Sequence, residues 1–242
     1  MISLDPLQMT FKILKTIFYI IPWILSITSL HQFLYNKYPK YYFFIVKHFK
    51  KWRDTKWKLS ASYRIKKSYD FFNQLESSID NVYKNKTRIF NLKNKKQYDF
   101  SDYNLTVQYD LDVSQTEYVT VELLFGNITA THNTSKKKLE TLRKFFYDIE
   151  KNIEVIDTNY NLNIFFTGVK NPFYGLMIQR LGEKNVQYFE CRFPITELTK
   201  ENEFGSVDNS EMYLTVYKDL ISINNSSFDT IEEIAKKCLV LE

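Results

Sequence analysis

The chain is poor in the residues from which active sites are most often built. Its 242 residues include 3 histidines, 2 cysteines and 5 glycines. His31 and His48 fall in an N-terminal hydrophobic and basic region, which leaves His132 alone in the remainder. One imidazole and two separated thiols do not supply a transition-metal site. A nucleophile–base arrangement would have to be built on His132, and no motif of the G-x-S-x-G kind accompanies it. The glycines, at 126, 168, 175, 182 and 205, are scattered. A glycine-rich phosphate loop is therefore missing, which argues against nucleotide hydrolysis and dinucleotide binding. Cys191 and Cys238 are expected to be reduced packing residues rather than a disulfide. No cofactor is expected, and the chain reads as a non-enzyme.

Two acidic or charged groupings deserve weighing against that reading. Asp99, Asp102, Asp110 and Asp112 are the nearest approach to a metal site, since carboxylates at a strand end hold Mg²⁺. No base or cationic clamp is spaced around them, so turn capping by solvated side chains is the favoured interpretation. Arg180, Glu190 and Arg192 are expected on neighbouring strands, where cross-strand ion pairing accounts for them.

What the sequence has in abundance is apolar bulk near its start. The run Ile13–Tyr35 covers 23 residues, enough at about 1.5 Å per residue to cross a hydrocarbon core of about 30 Å. Lys12 and Lys15 flank one end and His31 and Gln32 the other, followed by Tyr35, Tyr38, Tyr41 and Tyr42 as interfacial aromatics. Pro22 is expected to kink the helix. Thr16–Leu30 is apolar on every side, which favours a span over a helix lying in the membrane plane. No small-residue cleavage site follows Leu30, which argues against a cleaved signal peptide.

Positive charge follows at once. Lys37–Lys67 holds eleven Lys/Arg against the single acid Asp54, a local +10 in a chain whose net charge is +5. The rest of the chain is thus mildly acidic. Charge concentrated after a span marks the cytoplasmic side, so the short N-terminus is expected outside and the C-terminal domain in the cytoplasm. Over Tyr42–Trp57 aromatic and basic residues alternate in what reads as a basic amphipathic helix. Lys47, Lys50, Lys51, Trp52, Arg53, Lys56, Trp57 and Lys58 are its candidate interface with anionic headgroups. The same residues suit a nucleic-acid backbone, but the adjacent span makes lipid the preferred partner.

From Leu59 to Tyr83 a helical period (Ile65, Phe72, Leu75, Ile79, Val82) fits either a short coiled-coil seam or a helix packed on its own domain. Beyond it the pattern changes to strands. Ile89–Leu92 reads as an edge strand, and Leu105–Leu111 and Val119–Phe125 alternate apolar with polar, joined by a turn at Asp112–Gln115. Strands are also expected at Leu162–Thr167, Tyr174–Leu181, Val186–Pro194, Met212–Tyr217 and Leu220–Ile223, with a polar loop over Glu197–Asn209. Helices are expected over Ser135–Ile153, capped by Ser135, and Asp229–Leu241, opened by an Asp229/Glu232 capping box. Short connections favour antiparallel pairing.

The expected architecture is α+β: a transmembrane helix (1–36), basic aromatic juxtamembrane helices with a possible coiled coil (37–86), and a soluble domain (87–242). That domain is a mainly antiparallel sheet covered on one face by two helices. The corresponding function is a single-pass, membrane-anchored interaction protein, its domain binding protein partners or further copies within a larger complex. The alternatives are an oligomeric membrane effector gated by a small ligand, and nucleic-acid binding through 47–67.

Overall fold

The computed structural model describes residues 6–48, 55–66, 71–83, 87–92, 94–100, 102–109, 117–167, 171–178, 186–195 and 212–239. For 6–14, 17, 47, 71 and 88–91 it describes the backbone alone. The chain divides after Lys50 into two units.

The first unit is a helix pair, α1 (Pro6–Lys37) and α2 (Pro39–His48). Proline at the first position of α2 is pre-set for a helix start and breaks α1 from it. Pro22 lies within α1. The pair is tied at its junction by aromatic contacts. His31 Nδ1 and the Tyr41 hydroxyl are 2.8 Å apart, and the Tyr35 and Tyr42 rings lie 5.0 Å apart. Among the described residues no helix is long and apolar enough to cross a membrane, so the transmembrane helix expected over 1–36 is not shown; the side chains of 6–14 and 17 of α1 lie outside the described residues.

The second unit is α+β. Its strands are β1 (Thr55–Lys66), β2 (Thr87–Leu92), β3 (Lys95–Asp99), β4 (Asn104–Tyr109), β5 (Tyr118–Ala130), β6 (Val155–Phe166), β7 (Glu190–Pro194), β8 (Tyr213–Tyr217) and β9 (Leu220–Asn225). They form one nine-stranded sheet in the order β2-β3-β4-β5-β1-β6-β9-β8-β7. Every pairing is antiparallel. Helices α3 (Phe71–Val82), α4 (His132–Asn152) and α6 (Phe228–Cys238) pack side by side, α4 in the middle, with α4 on β5 and α6 on β6 and β9. The short α5 (Pro172–Ile178) lies against β8.

The largest departure from the sequence pattern is β1. The helix expected over Tyr42–Trp57 ends at His48, and from Thr55 the chain is the central strand of the sheet. The reason is visible in its period: Thr55, Trp57, Leu59, Ala61, Tyr63 and Ile65 are buried and every residue between them is not. A period of two is a strand's. Trp57 is fully buried, and its indole N–H donates to Thr55 Oγ1 at 2.9 Å, which itself donates to the Ala130 carbonyl at 2.8 Å. A coiled-coil seam is ruled out for the same stretch. Ile65 is a strand residue, and Leu75 and Ile79 of α3 are buried in the unit's own core. Three helices rather than two therefore stand together over the sheet.

A second departure is α5, helical where Tyr174–Leu181 reads as strand. Pro172 stands at its first position, and Asn171 caps it by accepting the Phe173 N–H at 3.1 Å. Helix α4 begins earlier than expected. Thr131 rather than Ser135 is the cap residue, Thr134 Oγ1 accepts the Thr131 N–H at 3.0 Å, and Ser135 lies one turn inside. At α6 the cap is Ser227, and Glu232 makes no capping box: it is buried and bonded to Lys236 at 2.6 Å and to Arg143 at 3.2 Å.

One bulge shapes the centre of the sheet. Trp57 pairs with Ile128 and Leu59 with Phe125, so Lys58 stands opposite two residues, Gly126 and Asn127. Asn127 takes φ 59°, the left-handed conformation that asparagine tolerates better than most side chains. The core behind this sheet is aromatic, with Phe125, Phe145, Phe146, Tyr160 and Phe228 in mutual ring contact. Burying side chains of this size contributes about 1.5–3 kcal/mol each.

Candidate functional site

The residues expected at a headgroup interface are divided by the fold. Lys50, Lys51, Trp52 and Arg53 lie outside the described residues, as does the side chain of Lys47. Trp57 is a core residue and touches no interface. Lys56 and Lys58 remain surface residues, because alternation along β1 turns them away from Trp57 and the helices. Arg64 and Lys66 emerge on the same side. The basic stretch is thus not one helix face but, in its second half, a row of cations on an open sheet.

That open face is polar over its central strands. The register sets Lys56 beside Phe165, Lys58 beside Asn163, Ser60 beside Asn161, Ser62 beside Asn159 and Arg64 beside Asp157 of β6. On the β5 side it sets Thr129, Leu124, Glu122, Thr120 and Tyr118 beside Lys56, Ser60, Ser62, Arg64 and Lys66. The sequence signal that separates these residues from a helical reading is lysine and serine at every second position from 56 to 62.

The first unit presents the opposite chemistry. Along α1, Phe18, Tyr19, Ile20, Ile21, Trp23, Ile24, Leu25, Ile27, Leu30 and Phe33 are all exposed. Over Phe18–Leu30 the consecutive exposed positions leave no buried stripe of the kind a helix packed on a core would show.

The acidic candidates do not converge. Asp99 is an exposed residue of β3, Asp102 is bonded to Lys138 of α4 at 3.0 Å, and Asp110 and Asp112 lie outside the described residues. Among the described residues no group of three or more His, Cys, Asp or Glu is placed to hold a metal ion. Arg180 also lies outside them; Arg192 of β7 covers the Tyr213 ring of β8 at 3.4 Å, and Glu190 accepts the Tyr188 hydroxyl. His132 is the first residue of α4.

Sequence reasoning missed a buried polar chain. The Tyr63 and Tyr160 hydroxyls are 2.6 Å apart, and Tyr160 donates onward to Glu150, which lines a cavity of about 760 Å³ between α4, β6 and the start of α6. Burial raises both phenols well above their ordinary range. The chain carries a fixed proton order and no nucleophile, so its evident service is to satisfy two deeply buried hydroxyls.

No family model matches this chain, and none of the curated proteins does. Among solved structures it is similar to the ligand-free regulatory subunit of aspartate kinase from Thermus thermophilus, at 7% identity and a TM-score of 0.22, covering 78% of this chain and 93% of that one. Similarity at that level carries no argument about function.

Proposed function

We propose that the protein is a single-pass, membrane-anchored interaction protein without catalytic activity. Helix α1 is the anchor and the sheet unit binds partners on the cytoplasmic side, as part of a larger complex. The observation that carries the reading is the exposure of the apolar side chains from Phe18 to Phe33 on all sides of a 32-residue helix. A soluble protein rarely leaves contiguous apolar surface of that extent to water. Lipid covers such a rod without a dedicated protein groove. The absence of acidic residues from its first turn and from the rest of its length is consistent with insertion. The cations that follow, from Lys37 onward, give the orientation.

The test is fractionation of cells expressing the full chain and a version lacking residues 1–40. The full chain is expected in membranes, resistant to alkaline carbonate and extracted by detergent, with the shortened chain released. A full chain that stays in the aqueous fraction without detergent overturns the proposal.

A further inference from the structure

The open face of the sheet is organised along β1 as a track. Lys56 and Lys66 are ten residues apart, or about 33 Å at 3.3 Å per residue. Each end pairs a cation with an aromatic ring: Lys58 Nζ lies 5.6 Å from the centroid of Phe165, and the Arg64 guanidinium 5.5 Å from that of Tyr118. Between the ends stand hydrogen-bonding side chains, Ser60, Ser62, Asn161 and Asn163, with Asn163 donating to Asn161 at 2.6 Å.

Charge is distributed unevenly along the track. Asp157 stands beside Arg64, Glu122 beside Ser62, and Glu117 lies 3.9 Å from Lys66. All three acids fall toward one end. The Lys56–Lys58 end has Thr129, Phe165 and Asn163 as its register neighbours, none of them acidic.

We propose that this face binds single-stranded nucleic acid, with Lys56, Lys58 and Arg64 on phosphates and Phe165 as a stacking platform. An open antiparallel sheet carrying an aromatic ring beside cations meets the two needs of a single strand, a charged path for its backbone and a flat surface for its bases. Amide and hydroxyl side chains between the charges suit base edges and sugars. A sheet of nine strands does not enter a major groove about 12 Å wide, so duplex is not the ligand. The proposal rests on the sheet unit being the partner-binding part of the molecule and is independent of where α1 resides.

Full-length protein in non-ionic detergent, titrated into fluorescein-labelled dT12 and rU12, tests it. Saturable binding is expected at low salt, with log K falling against log salt at a slope of about −2 for three phosphate contacts. The combined change Lys56→Gln, Lys58→Gln and Arg64→Gln is expected to weaken binding tenfold or more and flatten that slope. Phe165→Leu, which keeps the apolar contact and removes the ring, is expected to weaken it about 5- to 150-fold with the slope kept. Lys137→Gln on α4 leaves affinity unchanged, and circular dichroism confirms that each variant is folded.

Absence of saturable binding overturns the inference, as does equal affinity for a 12-base-pair duplex or full affinity in the triple variant. Phosphatidylserine vesicles provide the contrast. Should the triple variant lose vesicle binding while keeping the oligonucleotides, the face is a headgroup surface and the inference fails. If the full chain proves water-soluble yet binds dT12 through these residues, the anchor fails and this face stands.

Discussion

The hydroxyls of Tyr63 and Tyr160 meet at 2.6 Å beneath the helices, their rings 5.8 Å apart and nearly perpendicular. Tyr160 gives its proton to Glu150, so the proton between the two tyrosines belongs to Tyr63. The two substitutions to phenylalanine are therefore unequal. Tyr160→Phe strands a Tyr63 donor that is 1% exposed, a loss of about 1–3 kcal/mol. Tyr63→Phe leaves Tyr160 bonded to Glu150 and costs about 0.5–1.5 kcal/mol. Urea unfolding of the two variants reads the order directly, and the reverse order would refute the direction of the chain.

Alkaline pH should loosen the same core. Burial is the first cause of the raised pKa of Tyr63 and of Tyr160, and it pushes the Cys238 thiol up to about 12. In the unfolded chain these protons leave near about pH 10 for tyrosine and 8.5 for cysteine. Above those values the folded state binds more protons than the unfolded one, so stability falls as pH rises. Each fully shifted group contributes a slope of about −1.4 kcal/mol per pH unit once its unfolded pKa is passed. Unfolding free energies at pH 8 and pH 10.5 give the difference. Tyr63→Phe with Cys238→Ala is expected to flatten it, and a flat profile in the unmodified protein would contradict the burial of these groups.

Much of the second unit could be read from its alternation. The strand pair carrying Val107 and Leu123 and the helix burying Leu139, Leu142, Phe146 and Ile149 each bury the residues their period assigns, and the β8–β9 hairpin forms where two strands flank a tight turn. Two stretches resisted for physical reasons. In β1 the lysines lie between apolar residues of which Trp57 and Tyr63 are aromatic, and proximity to the apolar run makes a surface helix the natural continuation; pairing on both sides, to β5 and β6, fixes the strand that the period of two allows. In α5 the β-forming aromatics Phe173 and Tyr174 conceal a helix set by Asn171 and Pro172. The open-face site inherits the first difficulty, since Phe165 and Tyr118 join Lys58 and Arg64 only through strand pairing across 107 and 54 residues, a relation no local pattern records.

The β5 bulge makes a narrower claim on stability. Asn127 sits at φ 59° opposite Lys58, where a branched side chain is strained and glycine is not. Asn127→Val is expected to cost about 1–2 kcal/mol, and Asn127→Gly to change stability by a few tenths at most. Thermal unfolding of both variants decides it; equal stability of the valine variant would mean that the bulge relaxes or moves.

Tryptophan fluorescence separates the two units without cutting the chain. Trp23 on α1 is 72% exposed, whereas Trp57 on β1 is fully buried in the aromatic core. With Trp52→Phe in both, one variant keeps only Trp23 and the other only Trp57. Reconstituted into vesicles whose acyl chains carry bromine, a quencher effective only at contact range, the Trp23 protein is expected to lose most of its emission and the Trp57 protein almost none. The exposed apolar rod then lies among acyl chains while the sheet keeps its own core dry. Equal, weak quenching of both would place α1 outside the hydrocarbon, and its apolar surface would have to be covered by protein, a second copy or a partner helix, in place of lipid.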